Sequence, residues 1–333
     1  MKKIHVLLSH ALLAALLLSS TGYAQKQKYD YEKSRSITQT YTANGNDKLS
    51  ISNQFGQVVV KTWSRNEVKV DIKIEVSSTV KEEAEDMFER IDVDHSKNGS
   101  NIVFKTTMDK NKEKRDKNYG SHSNSINIDY EVSMPANLTL DLENKFGKTS
   151  LPDLQGDVTV LQEFGDLETG KLSNPNKVTV KFGSADIESA DGGTYDFQFA
   201  KSASIKNASG DVKVRVQHCK SNGVVVYGSN LSSLNVNAQH SDVALVVPRD
   251  MSAQYNVETE FGSFNNNTSF SIKEDGDDDD RRGPRFNHKY RGSSGGGKTR
   301  VTLDGNFTDF YIGHDAPTQK TKESKDKKRS ISV

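Results

Sequence analysis

The sequence has a single cysteine and no excess of charge of either sign. Because Cys219 is the only cysteine, an internal disulfide is excluded and cross-links do not hold the fold together. Lys plus Arg and Asp plus Glu number 45 each, so the formal net charge is zero. A nucleic-acid-binding protein is expected to be basic in at least one region, so we expect no nucleic-acid partner.

Hydrophobic residues and prolines are also scarce. Hydrophobic residues make up 33% of the 333-residue chain, as expected for a thin core filled by one residue in two together with polar loops. Six prolines and 24 glycines fit many turns and few Pro-rich linkers. Beyond the N-terminal leader, no apolar run approaches the ~20 residues that a membrane-spanning helix needs. The mature chain is therefore predicted to have no transmembrane segment.

The first residues have the pattern of a secretory signal peptide. Lys2 and Lys3 form a basic start, residues 11–18 are apolar, and Gly22-Tyr23-Ala24 offers small residues at the two positions that a signal peptidase reads. Cleavage is predicted after Ala24, which makes the protein exported, to the periplasm, the cell surface or the extracellular space. No cysteine lies near the cleavage point, so a lipoprotein is not expected.

The most informative feature is a recurring Phe-Gly pair. Three copies lie 18 residues apart, and the degenerate copies Phe199-Ala200, His218-Cys219 and His240-Ser241 follow. A fixed period near 20 residues indicates one supersecondary unit repeated and stacked, because no single unit buries its own apolar face. The sequence therefore predicts an all-β fold, a β-helix-like β-solenoid with coils of about 18–22 residues. The undegenerate pairs are Phe55-Gly56, Phe146-Gly147, Phe164-Gly165, Phe182-Gly183 and Phe261-Gly262.

The repeated residues have a structural interpretation. The aromatic residue is predicted to point inward and stack in the core, and the glycine to supply the positive φ of a tight corner. The residue before the aromatic, such as Lys145, Glu163 or Lys181, is predicted to point outward in a ladder that avoids like charges. Corner aspartates are predicted to bond their own backbone two residues on, the alternative being a carboxylate row for catalysis or calcium. These aspartates are Asp157, Asp166, Asp211 and Asp242.

One helix is predicted, over residues 79–92. Val80, Ala84, Met87 and Phe88 recur at helical spacing, and Thr79 begins a capping box. A stack of coils needs a cap at its end, and this helix is predicted to provide one.

The domain organisation follows from these features. Residues 1–24 are the signal peptide, and 25–135 hold N-terminal strands, the capping helix and a mobile loop at 109–125. Residues 136–315 form the solenoid repeats, interrupted by an acidic and Gly-rich flexible insertion at 274–297. Residues 316–333 are a charged tail predicted to be disordered.

No catalytic or cofactor-binding motif occurs. Gly-x-Ser-x-Gly, His-Glu-x-x-His and phosphate-binding loops are all missing from the sequence, so no catalytic residue and no cofactor are predicted. His218, Cys219 and His240 fall on adjacent repeats and carry zinc or copper ligand types. No third or fourth ligand is evident beside them, so the prediction is that no metal is bound.

Several segments resemble a known family, the putative adhesin family of bacterial, Bacteroidetes-type envelope proteins with β-strand repeats. The similar stretches are 49–56, 58–63, 66–76, the helix at 79–92, 130–135 and the repeated Phe-Gly and Gly-Asp-Val turns. The resemblance implies a β-repeat architecture and an adhesin-like role, and it carries no catalytic residues.

Three functions remain open at this point. The first is an exported, non-enzymatic β-repeat protein that acts by surface binding, as an adhesin or an envelope or matrix scaffold, with an unknown glycan or protein ligand. The second is an accessory cell-envelope protein linked to sigma/anti-sigma signalling. The third is a polysaccharide lyase or hydrolase on a β-helix, which requires carboxylates, with or without Lys or Arg, to converge on one face.

Overall fold

The computed structural model describes residues 29–109, 123–219, 223–275 and 286–317. Almost all of this chain is strand. The N-terminal strands are β1 (Tyr31–Thr42), β2 (Lys48–Gln54), β3 (Val58–Trp63), β4 (Glu67–Ser78), β5 (Ile91–Asn98), β6 (Asn101–Met108) and β7 (Asn124–Pro135). The central strands are β8 (Thr139–Lys145), β9 (Thr149–Leu151), β10 (Leu154–Glu163), β11 (Leu167–Lys181), β12 (Ser184–Gln198), β13 (Ser202–Gln217) and β14 (Val224–Gln239). The C-terminal strands are β15 (Asp242–Val246), β16 (Ala253–Glu260), β17 (Phe264–Asn267), β18 (Ser271–Glu274), β19 (Asn287–Ser294), β20 (Thr299–Asn306) and β21 (Asp309–Gly313). The predicted all-β class is confirmed.

Two rows of parallel strands meet at the repeated aromatic residues. The first row contains β6 at one end and then the segments that end at each aromatic, paired in the order β6, β2, β8, β10, β11, β12, β13, β14, β20 and β16. The second row contains β7 at one end and then the segments that begin after each aromatic, paired in the order β7, β3, β9, β11, β12, β13, β14, β15, β21 and β17. We call one segment of each row and the aromatic between them a rung.

The core lies between the rows and is built by alternation. In β4, Val68, Val70, Ile72, Ile74 and Val76 are all buried, as their period of two predicts. Parallel neighbours align like with like, so Val160 lies beside Val178 and Val178 beside Tyr195. Because only one residue in two points inward, a low overall hydrophobic content is enough to fill this core.

The spatial order of the rungs differs from their order along the chain. β20 pairs with β14 on one side and β16 on the other, and β21 likewise lies between β15 and β17. The aromatic of this inserted rung is Phe307, which is followed by Thr308 and therefore carries no Phe-Gly pair. Parallel pairing depends on backbone hydrogen bonds between segments of matching shape, so a late segment can take a place between two earlier ones.

The helix, α1, spans Lys81–Arg90, within the predicted 79–92. It packs on β4 and β1, with Ala84 buried and Met87 and Phe88 against the core. The predicted capping box at Thr79 does not form, since the N-cap is Val80 and no side chain caps it. Ser78 acts instead: its hydroxyl accepts a bond from the Val80 amide and donates one to Glu83, both at 3.1 Å.

The predicted flexible insertion at 274–297 is wrong for part of its length. β19 pairs antiparallel with β16 along its full length and with β18 on the other side. Glycine serves this packing, because a Cβ at Gly292 would lie 2.2 Å from the Ser271 carbonyl oxygen. The Gly- and Ser-rich composition hid a strand. Residues 276–285 lie outside the described residues.

Other predicted segments fall mostly outside the described chain. The signal peptide at 1–24 lies wholly outside it, as do residues 110–122 of the predicted loop and 318–333 of the tail. Asn124 and Ser125, assigned to the loop from the sequence, are the first residues of β7.

Candidate functional site

Ten aromatic rings form one continuous column along the outside of the rungs, which we call the aromatic ladder. Successive ring centroids lie 4.7–5.3 Å apart, and most pairs are stacked with nearly parallel planes. Nine such steps give a ladder about 45 Å long. In spatial order its members are Phe55, Phe146, Phe164, Phe182, Phe199, His218, His240, Phe307, Phe261 and Phe286.

The predicted inward direction of these rings is wrong, although their stacking in one column is correct. Phe146, Phe164, Phe182, Phe199, Phe261, Phe286 and Phe307 are each 44–52% exposed. Strand alternation places Gln162 inside and Glu163 outside, so Phe164 would return to the inside. Phe164 instead has a left-handed φ of 54°, which turns its side chain to the outside and interrupts the alternation. The left-handed residue is therefore the aromatic, and every ladder member except Phe286 has φ between 48° and 64°.

The glycine that follows the aromatic is required by close approach. A Cβ at Gly147, Gly165 or Gly183 would lie 1.8 Å from the carbonyl oxygen of the glycine one rung before it. None of the glycines at these corners is among the positive-φ glycines, so the prediction about their φ is corrected. Adjacent rungs thus come together at the corner without an intervening side chain, and the rings beside them stack.

A buried network of amides lies behind the first rungs. Asn144 Nδ2 donates to the Gly56 carbonyl at 3.2 Å, and Gln162 Nε2 donates to the Gly147 carbonyl at 2.7 Å. Thr149 Oγ1 connects the two, accepting from Asn144 and donating to Gln162 Oε1. All three side chains are fully buried. These side-chain bonds satisfy the buried carbonyl groups of Gly56 and Gly147 and so stabilise the backbone beneath the ladder.

Sequence reasoning missed this network, although a signal for it exists. Asn53, Asn144 and Gln162 each stand two residues before a ladder phenylalanine, at a position that strand alternation makes internal. Asn53 continues the network to Thr106, which bonds the Tyr130 hydroxyl at 2.8 Å. Burial raises the pKa of Tyr130 to about 12, against the smaller opposite effect of that bond.

A polar row runs along one flank of the ladder, formed by the residue before each aromatic. Glu163 lies between two lysines, 3.3 Å from Lys145 Nζ and 3.0 Å from Lys181 Nζ. Burial acts to raise the pKa of Glu163, but the hydrogen bonds from Lys181 and Lys145 outweigh it and leave that pKa below its ordinary value. The outward row predicted from the sequence, in which like charges are not neighbours, has this arrangement at Lys145, Glu163 and Lys181. Its further members are Gln54, Gln198, Gln217, Gln239, Asn306 and Glu260.

His218, Cys219 and His240 do not converge on a common point. The two histidine rings stack face to face at 5.1 Å as ladder members. Cys219 is fully buried, its sulfur accepts a bond from the Ala200 amide, and burial raises the pKa of its thiol. Within the four described ranges, no group of three or more His, Cys, Asp or Glu side chains is placed to hold a metal ion.

The corner aspartates bond to the neighbouring rung. Asp166 Oδ1 accepts from the backbone amide of Ser184 at 2.9 Å, a residue 18 positions away. Asp309 likewise accepts from the Ser263 amide at 2.8 Å. The predicted bond to the aspartate's own backbone, two residues on, is therefore wrong for Asp166, because the adjacent parallel strand presents an amide at bonding distance. Asp211 also bonds across rungs, where it accepts from the Ser233 hydroxyl at 2.6 Å.

A shallow groove of about 350 Å³ lies on the outer face of the second strand row. Glu168, Asp186 and Lys206 line it, with small residues such as Ser202 at its base. Lys206 Nζ bonds Asp186 at 3.0 Å and Glu188 at 3.1 Å, and these bonds raise its pKa. The groove is the arrangement in the described chain that comes nearest to the carboxylate and lysine cluster of the lyase alternative.

The chain matches no protein-family model and no curated protein. Similar solved structures include two that each share 10% sequence identity over 84% of this chain. One is a putative cell adhesion protein from Clostridium sporogenes ATCC 15579, matched over 99% of that chain with a TM-score of 0.21. The other is a putative adhesin from Bacteroides fragilis NCTC 9343, matched over 97% with a TM-score of 0.29. At these scores the function must be argued from the geometry of this chain.

In the part of the chain that the structure describes, no helix combines the length and apolarity needed to cross a membrane.

Proposed function

We propose that this protein is an exported, non-enzymatic β-solenoid of the putative adhesin type that acts by binding through its aromatic ladder. The observation that carries the proposal is the ladder itself. Soluble monomers rarely expose a contiguous apolar patch larger than a few hundred Å², and such patches mark interaction sites. Seven half-exposed phenylalanines at about 90 Å² each give roughly 600 Å², in one line of stacked rings with His218 and His240 at its middle.

The solenoid part of the proposal is supported by the strand pairing. From β8 to β14, neighbouring segments are parallel, and partners in β10, β11 and β12 are about 18 residues apart. Stacked repeats of this kind present long faces made of equivalent positions, which suits binding to extended partners. Export is supported by the leader at residues 1–24, and the cell surface or extracellular matrix is then where the ladder would act.

The binding role is tested with the chain from Gln25 and an isolated envelope fraction of the source cells. The protein is expected to co-sediment with the envelopes. The triple variant Phe164→Asn, Phe182→Asn, Phe199→Asn should lose most of this retention. Asparagine tolerates the left-handed backbone, so the substitution removes the rings while keeping the corner conformation.

The matched control is Lys206→Asn, on the groove of the opposite strand row. It should sediment like the parent, and thermal melts should show that both variants are folded. Retention that is equal in the ladder variant and the parent contradicts the proposal. Turnover of a polysaccharide that Lys206→Asn or Asp186→Asn abolishes would favour the lyase or hydrolase alternative instead.

A further inference from the structure

The aromatic ladder exposes ring edges and covers ring faces. Each ring stacks on its neighbours at about 5 Å, so a partner cannot insert against a face without breaking the stack. What remains is a ridge of edges about 45 Å long. A partner must therefore offer an apolar surface of similar length, and such a surface is present on the molecule itself.

We propose that the occupant of the ladder is a second copy of this chain, paired antiparallel about a two-fold axis. The inference rests on the proposed function, because it names the partner of the same surface. An isologous contact uses one patch twice, so the two ridges match in length and chemistry. The ladder phenylalanines expose roughly 600 Å² per copy, which is of the same order as the ~800 Å² per partner that a stable interface buries.

The charge order of the polar row fits the antiparallel arrangement. Lys145 flanks the second ring of the ladder and Glu260 flanks the ninth, with the amides Gln198 and Gln217 at its centre. A two-fold axis between the fifth and sixth rings places Lys145 opposite Glu260 of the second copy, and the reverse by symmetry. The central amides then face each other without repulsion.

A parallel arrangement is disfavoured by the same reasoning. With a two-fold axis along the ladder, the residue before each aromatic in one copy faces a residue of the same rung in the other copy. That residue is the one two positions after the aromatic. Lys145 would then meet Lys148, and Glu163 would meet Asp166, which are like-charged pairs. The antiparallel arrangement does set Asp166 against Asp309. It also brings opposite charges together at Lys145 and Glu260, however, which the parallel arrangement does not.

The charge order gives a test that a contact within one chain cannot imitate. Lys145 and Glu260 of one chain are seven rungs apart, roughly 35 Å at the measured ring spacing. Sedimentation equilibrium of the chain from Gln25 should show a monomer–dimer equilibrium. Lys145→Glu and Glu260→Lys should each raise the dimer Kd about tenfold, and the double variant should recover most of the affinity.

The control and the contrary outcomes are distinct. Lys206→Glu, which changes charge on the other strand row, should leave the Kd unchanged. A parent that stays monomeric at every concentration overturns the inference, as does a double variant no tighter than its single variants. Dimerisation that survives the triple asparagine ladder variant overturns it as well.

Failure of this inference can be separated from failure of the proposed function. Envelopes are prepared from source cells with and without the gene. Retention only on envelopes that carry the protein supports pairing between copies. Ladder-dependent retention on both, by a monomeric protein, leaves the proposed function standing and removes the inference. A ladder-mediated dimer that neither envelope retains supports the inference and contradicts the proposed function.

Discussion

At the scale of single residues, the ladder phenylalanines occupy a backbone conformation that non-glycine residues normally avoid. A left-handed φ costs an L-residue roughly 1–2 kcal/mol, because Cβ approaches the following carbonyl oxygen. Each stacked aromatic pair returns about 0.5–1.5 kcal/mol beyond its area burial, and an internal ring such as Phe164 has two stacked neighbours. The stack and the strained corner therefore belong together, and a ring without neighbours would not hold this conformation.

Substitution of Phe164 tests its outward placement. Phe164→Ala should lower the free energy of unfolding by about 1–3 kcal/mol, the value of two ring contacts. Phe164→Gly should be at least as stable as Phe164→Ala, since glycine takes a left-handed φ without strain. Urea denaturation measures both.

The control is Phe310→Ala, which removes a ring that is 1% exposed. A loss of about 3–5 kcal/mol is expected there, as for other interior aromatics. If Phe164→Gly proves clearly less stable than Phe164→Ala, or Phe164→Ala as costly as Phe310→Ala, then Phe164 is an interior residue and the ladder is misplaced.

At the scale of elements, the rows of strands are joined by side-chain ladders as well as by backbone bonds. Glu163 on β10 joins β8 and β11 through Lys145 and Lys181. Buried amides repeat the connection on the inner side of the same rungs. The residue before each aromatic points outward and the residue two before it points inward. A rung is therefore bonded to its neighbours by ion pairs on its outer face and by amide hydrogen bonds on its inner face.

The Glu163 ladder predicts a pH dependence. Its carboxyl has a folded-state pKa below the ordinary value of 4.5, so its contribution to stability is present above pH 4.5. The contribution is lost as the pH falls through the folded-state value. Parent and Glu163→Gln are compared by urea midpoint from neutral to acidic pH, and the advantage of the parent should shrink below pH 4.5.

The comparison between the two chains removes the effect of the other carboxyl groups, which titrate in both. A constant difference across the whole pH range would show that Glu163 gains nothing from its lysines. Because the two lysines keep about 30% of their side-chain surface exposed, solvent screens the pairs, and the effect should be small and weaken further at high salt.

At the scale of the whole molecule, the C-terminal rung is an internal part of the stack. β20 and β21 separate the rung of His240 from the rung of Phe261. A stacked-repeat protein is stabilised mainly by contacts between nearest neighbours. The last segment of the chain therefore connects two parts of the stack that would otherwise share no interface.

Truncation tests this arrangement. A chain that ends at Lys298 should expose the facing edges of β14 and β16, and residues 253–297 should lose their protection from hydrogen exchange. A chain that ends at Pro317 should melt like the parent, because it retains both strands. Unchanged protection of residues 253–297 in the shorter chain would contradict the rung order described above.

The sequence by itself determined what local periodicity controls. The alternation in 68–76 sets the buried face of β4, the spacing of Phe146, Phe164 and Phe182 sets the 18-residue repeat, and helical spacing sets α1. These features depend on the two-residue period of a strand and the 3.6-residue period of a helix, which each segment carries within itself.

The tertiary structure alone decided which way the aromatic rings point, which rungs are neighbours and what the aspartates bond. Phe164 points outward because the corner at Gly165 must pass within contact of Gly147, and the backbone turns left-handed to allow it. β20 lies beside β14, and β19 forms a strand beside β16, because each pairs with a segment distant in sequence. None of these choices has a local signature, because each is set by a backbone that lies one rung away.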